Sequence, residues 1–141
     1  MGVQARRKLG GGEVKQEANL KAALMRALRD VLPDFVHQRH EDRFSSGWPD
    51  ISVSGYGRTS FWEVKHADPR FSSNGLQELT CLRLALASFH CRYIVYHENH
   101  GIKRTLIVHP NHIGDLLPEF SCAGFNHTWL VEQIRKVHGI R

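Results

Sequence analysis

The sequence predicts an α/β fold, a mixed central sheet flanked by helices. Three observations lead there. Segments 50–54 and 60–65 alternate apolar and polar residues with period 2, and they lie between segments with the helical period. Residues 92–97 form an apolar run suited to a strand covered on both faces. The resulting order, α-β-β-β-α-β-β-α, joins strands and helices in a way that packs as helices on a mixed sheet.

Residues 1–12 end in Gly10-Gly11-Gly12 and are expected to form a flexible basic arm, leaving 13–141 as a single domain. From Glu13 the pattern is helical. Leu20, Leu24, Ala27, Leu28 and Val31 fall at i, i+4, i+7, i+8 and i+11 until Pro33-Asp34 ends the helix. Residues 35–40 read as a strand and 43–49 as a loop. In 50–54, Ile51 and Val53 share one face. A turn at 55–58 leads into the strand 60–65, and 66–73 is a loop. Asn74 can cap a helix to about residue 88, with Leu76, Leu79, Leu82 and Leu86 expected to face inward. Strands at 92–97 and 102–108 flank a turn at 98–101. A short helix is expected around 113–117, and a last amphipathic helix near 129–137 with Leu130, Ile134 and Val137 on one face.

Composition narrows the class. The chain has 141 residues, 41% apolar and 23% charged, close to globular usage. No run approaches the roughly 18 apolar residues of a membrane helix, and residues 1–12 lack the apolar stretch of a secretory signal. Nineteen Lys and Arg against 14 Asp and Glu leave a net charge of +5, which permits a polyanionic partner. Arg6, Arg7 and Lys8 supply three of those five charges. Cys81, Cys91 and Cys122 are odd in number and widely spaced, as reduced thiols of a soluble cytoplasmic protein are.

One constellation carries chemistry: Gly47-Trp48-Pro49-Asp50, twelve residues, then Glu63-Val64-Lys65. If Tyr56-Gly57 is a two-residue hairpin turn, the pairing it imposes sets Asp50 directly opposite Glu63 and Ile51 opposite Trp62. Paired Cβ atoms lie about 4.5–5.5 Å apart. Glu63 and Lys65 then share a face. Two carboxylates held so close repel unless something compensates, and a hard divalent cation such as Mg²⁺ does so with oxygen ligands. A lysine beside the pair could orient a water or hold a phosphate, the grouping that metal-assisted phosphodiester hydrolysis requires.

These motifs, in this order, resemble the PD-(D/E)XK nuclease core, and the G-x-P-D form followed by E-V-K is most similar to the VRR-NUC group, with Holliday junction resolvases next. The resemblance covers roughly residues 13–108. It implies a restriction-endonuclease-like αβββαβ core and a Mg²⁺-dependent endodeoxyribonuclease, with Mn²⁺ able to substitute. It implies DNA as partner, branched or junction DNA as substrate, a role such as DNA repair, and a homodimer. It also implies that Asp50 and Glu63 are metal ligands with the Val64 carbonyl as a third, and that Lys65 is the catalytic lysine. The helical acid is Glu17 or Glu13, of which Glu17 better fits the start of the family's helix. Gln77 is implied at the active site, and it also fits a capping box with Asn74, a role compatible with the first.

Arg39, His40 and Arg43 precede the acidic hairpin and are candidate phosphate contacts, as is the arm with Arg6, Arg7 and Lys8. His97-Glu98-Asn99-His100 has the wrong spacing for an HNH nuclease and reads as a turn. His109, His112, Cys122 and His127 lack the close ligand pairs of structural zinc sites. Two rival functions are an inactive nuclease fold that only binds nucleic acid and a sequence-specific restriction-type endonuclease.

Overall fold

The computed structural model describes residues 2–40, 47–71, 75–87 and 90–139, with side chains from Gln16 onward. The elements are α1 (Gly2–Val31), β1 (Val36–Arg39), β2 (Ile51–Gly55), β3 (Arg58–Ala67), α2 (Gly75–Leu86), β4 (His90–Asn99), β5 (Ile102–Val108), a 3₁₀ turn (Pro110–His112), β6 (Phe120–Ala123) and α3 (His127–Val137). Six strands form one mixed sheet in chain order, and three helices flank it. All neighbours are antiparallel except β3 and β4. A parallel pair needs a long crossover, and α2 supplies it. Among the described residues no helix is long and apolar enough to cross a membrane.

The β2–β3 hairpin has the expected register, Ile51↔Trp62 through Gly55↔Arg58. Tyr56 and Gly57 both take positive φ, 54° and 75°. That is the geometry of a tight hairpin turn whose twist matches its strands. The turn therefore sets the pairing on which the acidic site depends.

Alternation sorts side chains between the two faces. Ile51, Val53, Trp62, Val64, Ile94 and Tyr96 pack under α1 and α3 with Leu24, Leu28, Leu130 and Ile134. Tyr93, Val95, Cys91, Leu106 and Val108 pack on the other face with Cys81 and Ile113. Helix α3 is the amphipathic helix expected. Asn126 caps it, its side chain accepting from the Trp129 N–H, and Arg135 and Lys136 lie in the last turn, where the helix dipole favours cations.

Several elements depart from expectation. Helix α1 begins at Gly2, so residues 2–12 continue a helix where an arm was expected. A helix already nucleated can propagate through glycines at about 1 kcal/mol each relative to alanine. The inward stripe of α2 is not the expected one: Leu76 is 51% exposed, Leu79 44% and Leu86 70%, Leu82 is half-buried, and Cys81 is buried. Leu84 and Ala85 pack partly against that core beside it. Both stripes have helical spacing, and the sheet contact takes the one with a small residue at its centre. Strand β3 runs on through Ala67, because pairing with β4 extends to Ala67↔His97. The helix expected at 113–117 is instead the 3₁₀ turn Pro110–His112, since Gly114 and Pro118 interrupt any longer helix. Strand β6 was not foreseen. Its four residues pair Phe120 with Ile107 through Ala123 with Arg104.

Candidate active site

Asp50 immediately precedes β2, and Glu63 lies opposite it in β3. The two are tied across the strands. The Asp50 N–H donates to Glu63 Oε1 at 3.0 Å, and the Val64 N–H donates to Asp50 Oδ2 at 2.9 Å. The His40 N–H reaches the Asp50 carbonyl at 2.7 Å, which extends the β1–β2 pairing up to the site. It is thus the N–H of Val64, rather than its carbonyl, that touches the acidic pair.

The carboxyl groups differ sharply in environment. Glu63 is fully buried, and its Oε2 meets no donor. Burial pushes its pKa up to about 11, with the hydrogen bond and charge of Asp50 adding and Lys65 opposing. A protonated Oε2 can itself donate toward Asp50. Burial also acts to raise Asp50, but the hydrogen bond from Glu63, the Lys21 ammonium and the Val64 N–H together hold it below the usual carboxylate range. The pair therefore carries one charge near neutral pH, as expected of two acids that cannot both ionise in a dry site.

Lys21 was absent from the sequence-based candidates. Its Nζ lies 3.1 Å from Asp50 Oδ1, with both side chains 18% exposed. One turn earlier on α1, Glu17 Oε1 accepts the His66 backbone N–H at 3.2 Å. The i, i+4 spacing of Glu17 and Lys21 is the available signal, since it puts an acid and a base on one helix face toward the sheet. Their targets lie 29 and 49 residues away, so spacing could not name them.

Lys65 shares the Glu63 face of β3, and its Nζ sits 5.7 Å from the centroid of the Phe71 ring. Phe71 lines a polar cleft of about 830 Å³ together with Arg70, Glu78, His97, Asn99 and Asp115. Gln77 is half-buried in the first turn of α2 and makes contacts of its own. Beneath the site, hydrogen bonding with Cys81 and then burial push the Cys91 thiol up, and burial pushes the Tyr93 phenol up. Both stay neutral and keep the ground under Glu63 poorly polar.

Arg39 closes β1 and pairs with Ile51, the residue after Asp50, which brings it to the same end of the sheet. Arg6, Arg7 and Lys8 lie along the start of α1, and their side chains are outside the described residues, as is that of Glu13. Arg43 and the Asn74 cap also lie outside them. His109 and His112 are neighbours, with ring centroids 6.4 Å apart. Among the described residues, no three His, Cys, Asp or Glu side chains converge as a metal-holding group. The acidic site contributes two carboxyl groups. Searches against protein-family models and against curated proteins find no match for the chain.

Proposed function

We propose that the chain is a metal-dependent DNA endonuclease with a restriction-endonuclease-like αβββαβ core of the PD-(D/E)XK type. The observation that carries this reading is the Asp50–Glu63 pair, two carboxyl groups tied across adjacent strands with Glu63 Oε2 buried and unpartnered. Burying a carboxyl group beside a second one is costly, and acids perturbed in this way cluster at functional sites. A donor set of two carboxyl groups fits Mg²⁺ or Mn²⁺, which take one or two protein carboxylates and complete their shells with water and phosphate. Asp50 and Glu63 would hold the ion, with the Val64 carbonyl as the third candidate ligand.

When bound, such an ion supplies a Lewis acid for a phosphoryl oxygen and lowers the pKa of water. The protein's own groups do the rest. Glu63 must give up its proton to become a ligand. Lys21 must release Asp50 Oδ1, which frees an ammonium at the site. Lys65 presents a second ammonium on the Glu63 face, where a phosphate would sit. Arg39 shares the face of Ile51, opposite to that of Glu63, and would meet a nucleic acid only at the strand end. Branched DNA remains the proposed substrate. A homodimer accompanies it, because a two-fold symmetric junction is served by two sites related by a C₂ axis.

A binding-only role is the second reading. The Lys21–Asp50 ion pair favours it, since it already neutralises one carboxylate without metal. Cleavage of supercoiled plasmid and of a four-way junction, in Mg²⁺ and in EDTA, separates the two. Metal-dependent cutting supports the nuclease. Binding of both substrates that is unaffected by EDTA, with no cutting in Mg²⁺ or Mn²⁺, overturns it.

A further inference from the structure

The segment that delivers Asp50 to the site also presents an aromatic ring beside it. Gly47 has φ +91°, and a Cβ there would come within 2.9 Å of Leu76 Cγ and 3.3 Å of the Leu76 carbonyl carbon. Only glycine fits both the backbone angle and that approach. The segment is thereby pressed against the first turn of α2, and Pro49 is buried. Trp48, between them, is 38% exposed, whereas Trp62 is 1% exposed. Its indole is braced by a T-shaped contact with Phe61, centroids 5.5 Å apart. Leu76, against Gly47, is 51% exposed, so the apolar surface continues beyond the indole.

An exposed indole held this firmly is unusual, since tryptophan is normally mostly buried. Its position suggests a use. Trp48 is two residues from Asp50, at most about 7 Å of chain. That is on the order of the reach from a phosphate to the base of the same or the adjacent nucleotide. Cations flank the site, with Lys21 on Asp50 and Lys65 on the Glu63 face. The charge pattern suits a phosphate at the acidic pair, and the indole suits the flat face of its base. A base within a duplex is stacked on both sides and offers no free face.

We propose that Trp48 is a stacking platform for an unpaired nucleobase next to the phosphate held at Asp50 and Glu63. The site thereby favours nucleic acid whose strand is unpaired at that point. This inference rests on the nuclease reading and sharpens its substrate class.

The test uses the full chain in Ca²⁺, with a labelled single-stranded oligonucleotide and the matching blunt duplex as probes. Wild type, Trp48→Phe and Trp48→Ala are compared by anisotropy and by intrinsic fluorescence. The single strand should quench wild-type fluorescence, and Trp48→Phe should lose that quench while keeping most of the affinity. Trp48→Ala should lose single-strand affinity by roughly tenfold or more, since stacking on an aromatic is worth about that per base. Its duplex affinity should stay unchanged. Equal losses for both probes, or no loss for either, overturn the stacking role and leave the nuclease reading standing. If Trp48→Ala does not fold, a wild-type quench that persists in Trp48→Phe overturns it instead. If wild type binds neither probe, the nuclease reading falls and the inference falls with it.

Discussion

Under α1 and α3 the sheet buries Leu24, Leu28, Ile51, Val53, Trp62 and Ile134. The polar groups hidden at its edge close on one another. Ser60 Oγ lies 2.9 Å from His138 Nε2 and accepts the Trp62 indole N–H at 2.8 Å, while His138 Nδ1 lies 2.9 Å from the Gly55 carbonyl. Other buried atoms on that side lack a hydrogen-bond partner among the described residues: His37 Nδ1, the Tyr96 hydroxyl, His127 Nε2 and Arg135 Nε. Under α2 the sheet buries a carboxyl group, Glu63, with one oxygen unpartnered, and leaves leucines of the covering helix in solvent. The difference that remains is the carboxyl group: the α2 face buries an acid whose burial opposes its charged form.

Truncation should expose that asymmetry most strongly. Leu28→Ala, at a fully buried position, should cost about 2–5 kcal/mol in urea unfolding. Leu79→Ala on the outer side of α2 should stay within about 0.5 kcal/mol. Similar losses at both positions would mean that the outer face of α2 is covered in solution.

Next come the site variants. Lys65→Ala should slow single-turnover cleavage by roughly 10²-fold or more, because losing a preorganised transition-state stabiliser costs about 2.7–4 kcal/mol. DNA affinity in Ca²⁺ should fall only slightly, since one phosphate contact contributes about one unit of salt slope. A proportional fall in affinity and rate would reduce Lys65 to a phosphate anchor. Mn²⁺ at about 100 times its Kd should stabilise the wild type by about 2.7 kcal/mol, and Asp50→Asn should abolish this. Identical melting shifts in the two proteins would remove Asp50 from the ligand set.

The pH profile should separate Glu63 from the other buried titratable groups. Glu63 titrates near 4.5 when unfolded and is pushed up to about 11 in the fold. The folded chain holds the extra proton between those values. Stability from Glu63 is therefore full below about 4.5 and declines as the pH rises through that window, by at most about 1.4 kcal/mol per unit. Glu63→Gln should flatten this alkaline slope, and calorimetry in two buffers should show proton release when Mn²⁺ binds the wild type. The acid side draws on both faces, because Asp50, held below the usual carboxylate range, also loses its contribution as the pH falls. Burial lowers His138, and burial with the Arg92 charge lowers His90 to about 4, both from the ordinary 6.5. Their contribution is present above 6.5 and is lost as the pH falls below it, for His90 toward about 4. His138→Gln should weaken the acid slope alone. Lys21→Ala should have a small effect, at most about 1 kcal/mol, because the ion pair is partly solvated. Mn²⁺ stabilisation should survive that change, and its loss would make Lys21 part of the metal site.

Much of the site was legible because its logic is local. Period-2 alternation assigned β2 and β3, and the Tyr56-Gly57 turn set the register that brings Asp50 against Glu63. A hairpin carries its pairing rule within about fourteen residues of sequence. Helix α3 was legible for the same reason, with cap, apolar stripe and basic last turn all contiguous. What the tertiary structure decided concerns elements far apart in the chain. Which stripe of α2 meets the sheet depends on where β3 and β4 lie, and Cys81 prevailed over the leucines. Strand β6 exists only because β5 offers an edge to four residues with little pattern of their own. Lys21 reaches Asp50, and Glu17 reaches the His66 N–H, because α1 crosses the β2–β3 ends. Periodicity says which residues share a face, but which face meets which neighbour is settled only when all the apolar surfaces are packed at once.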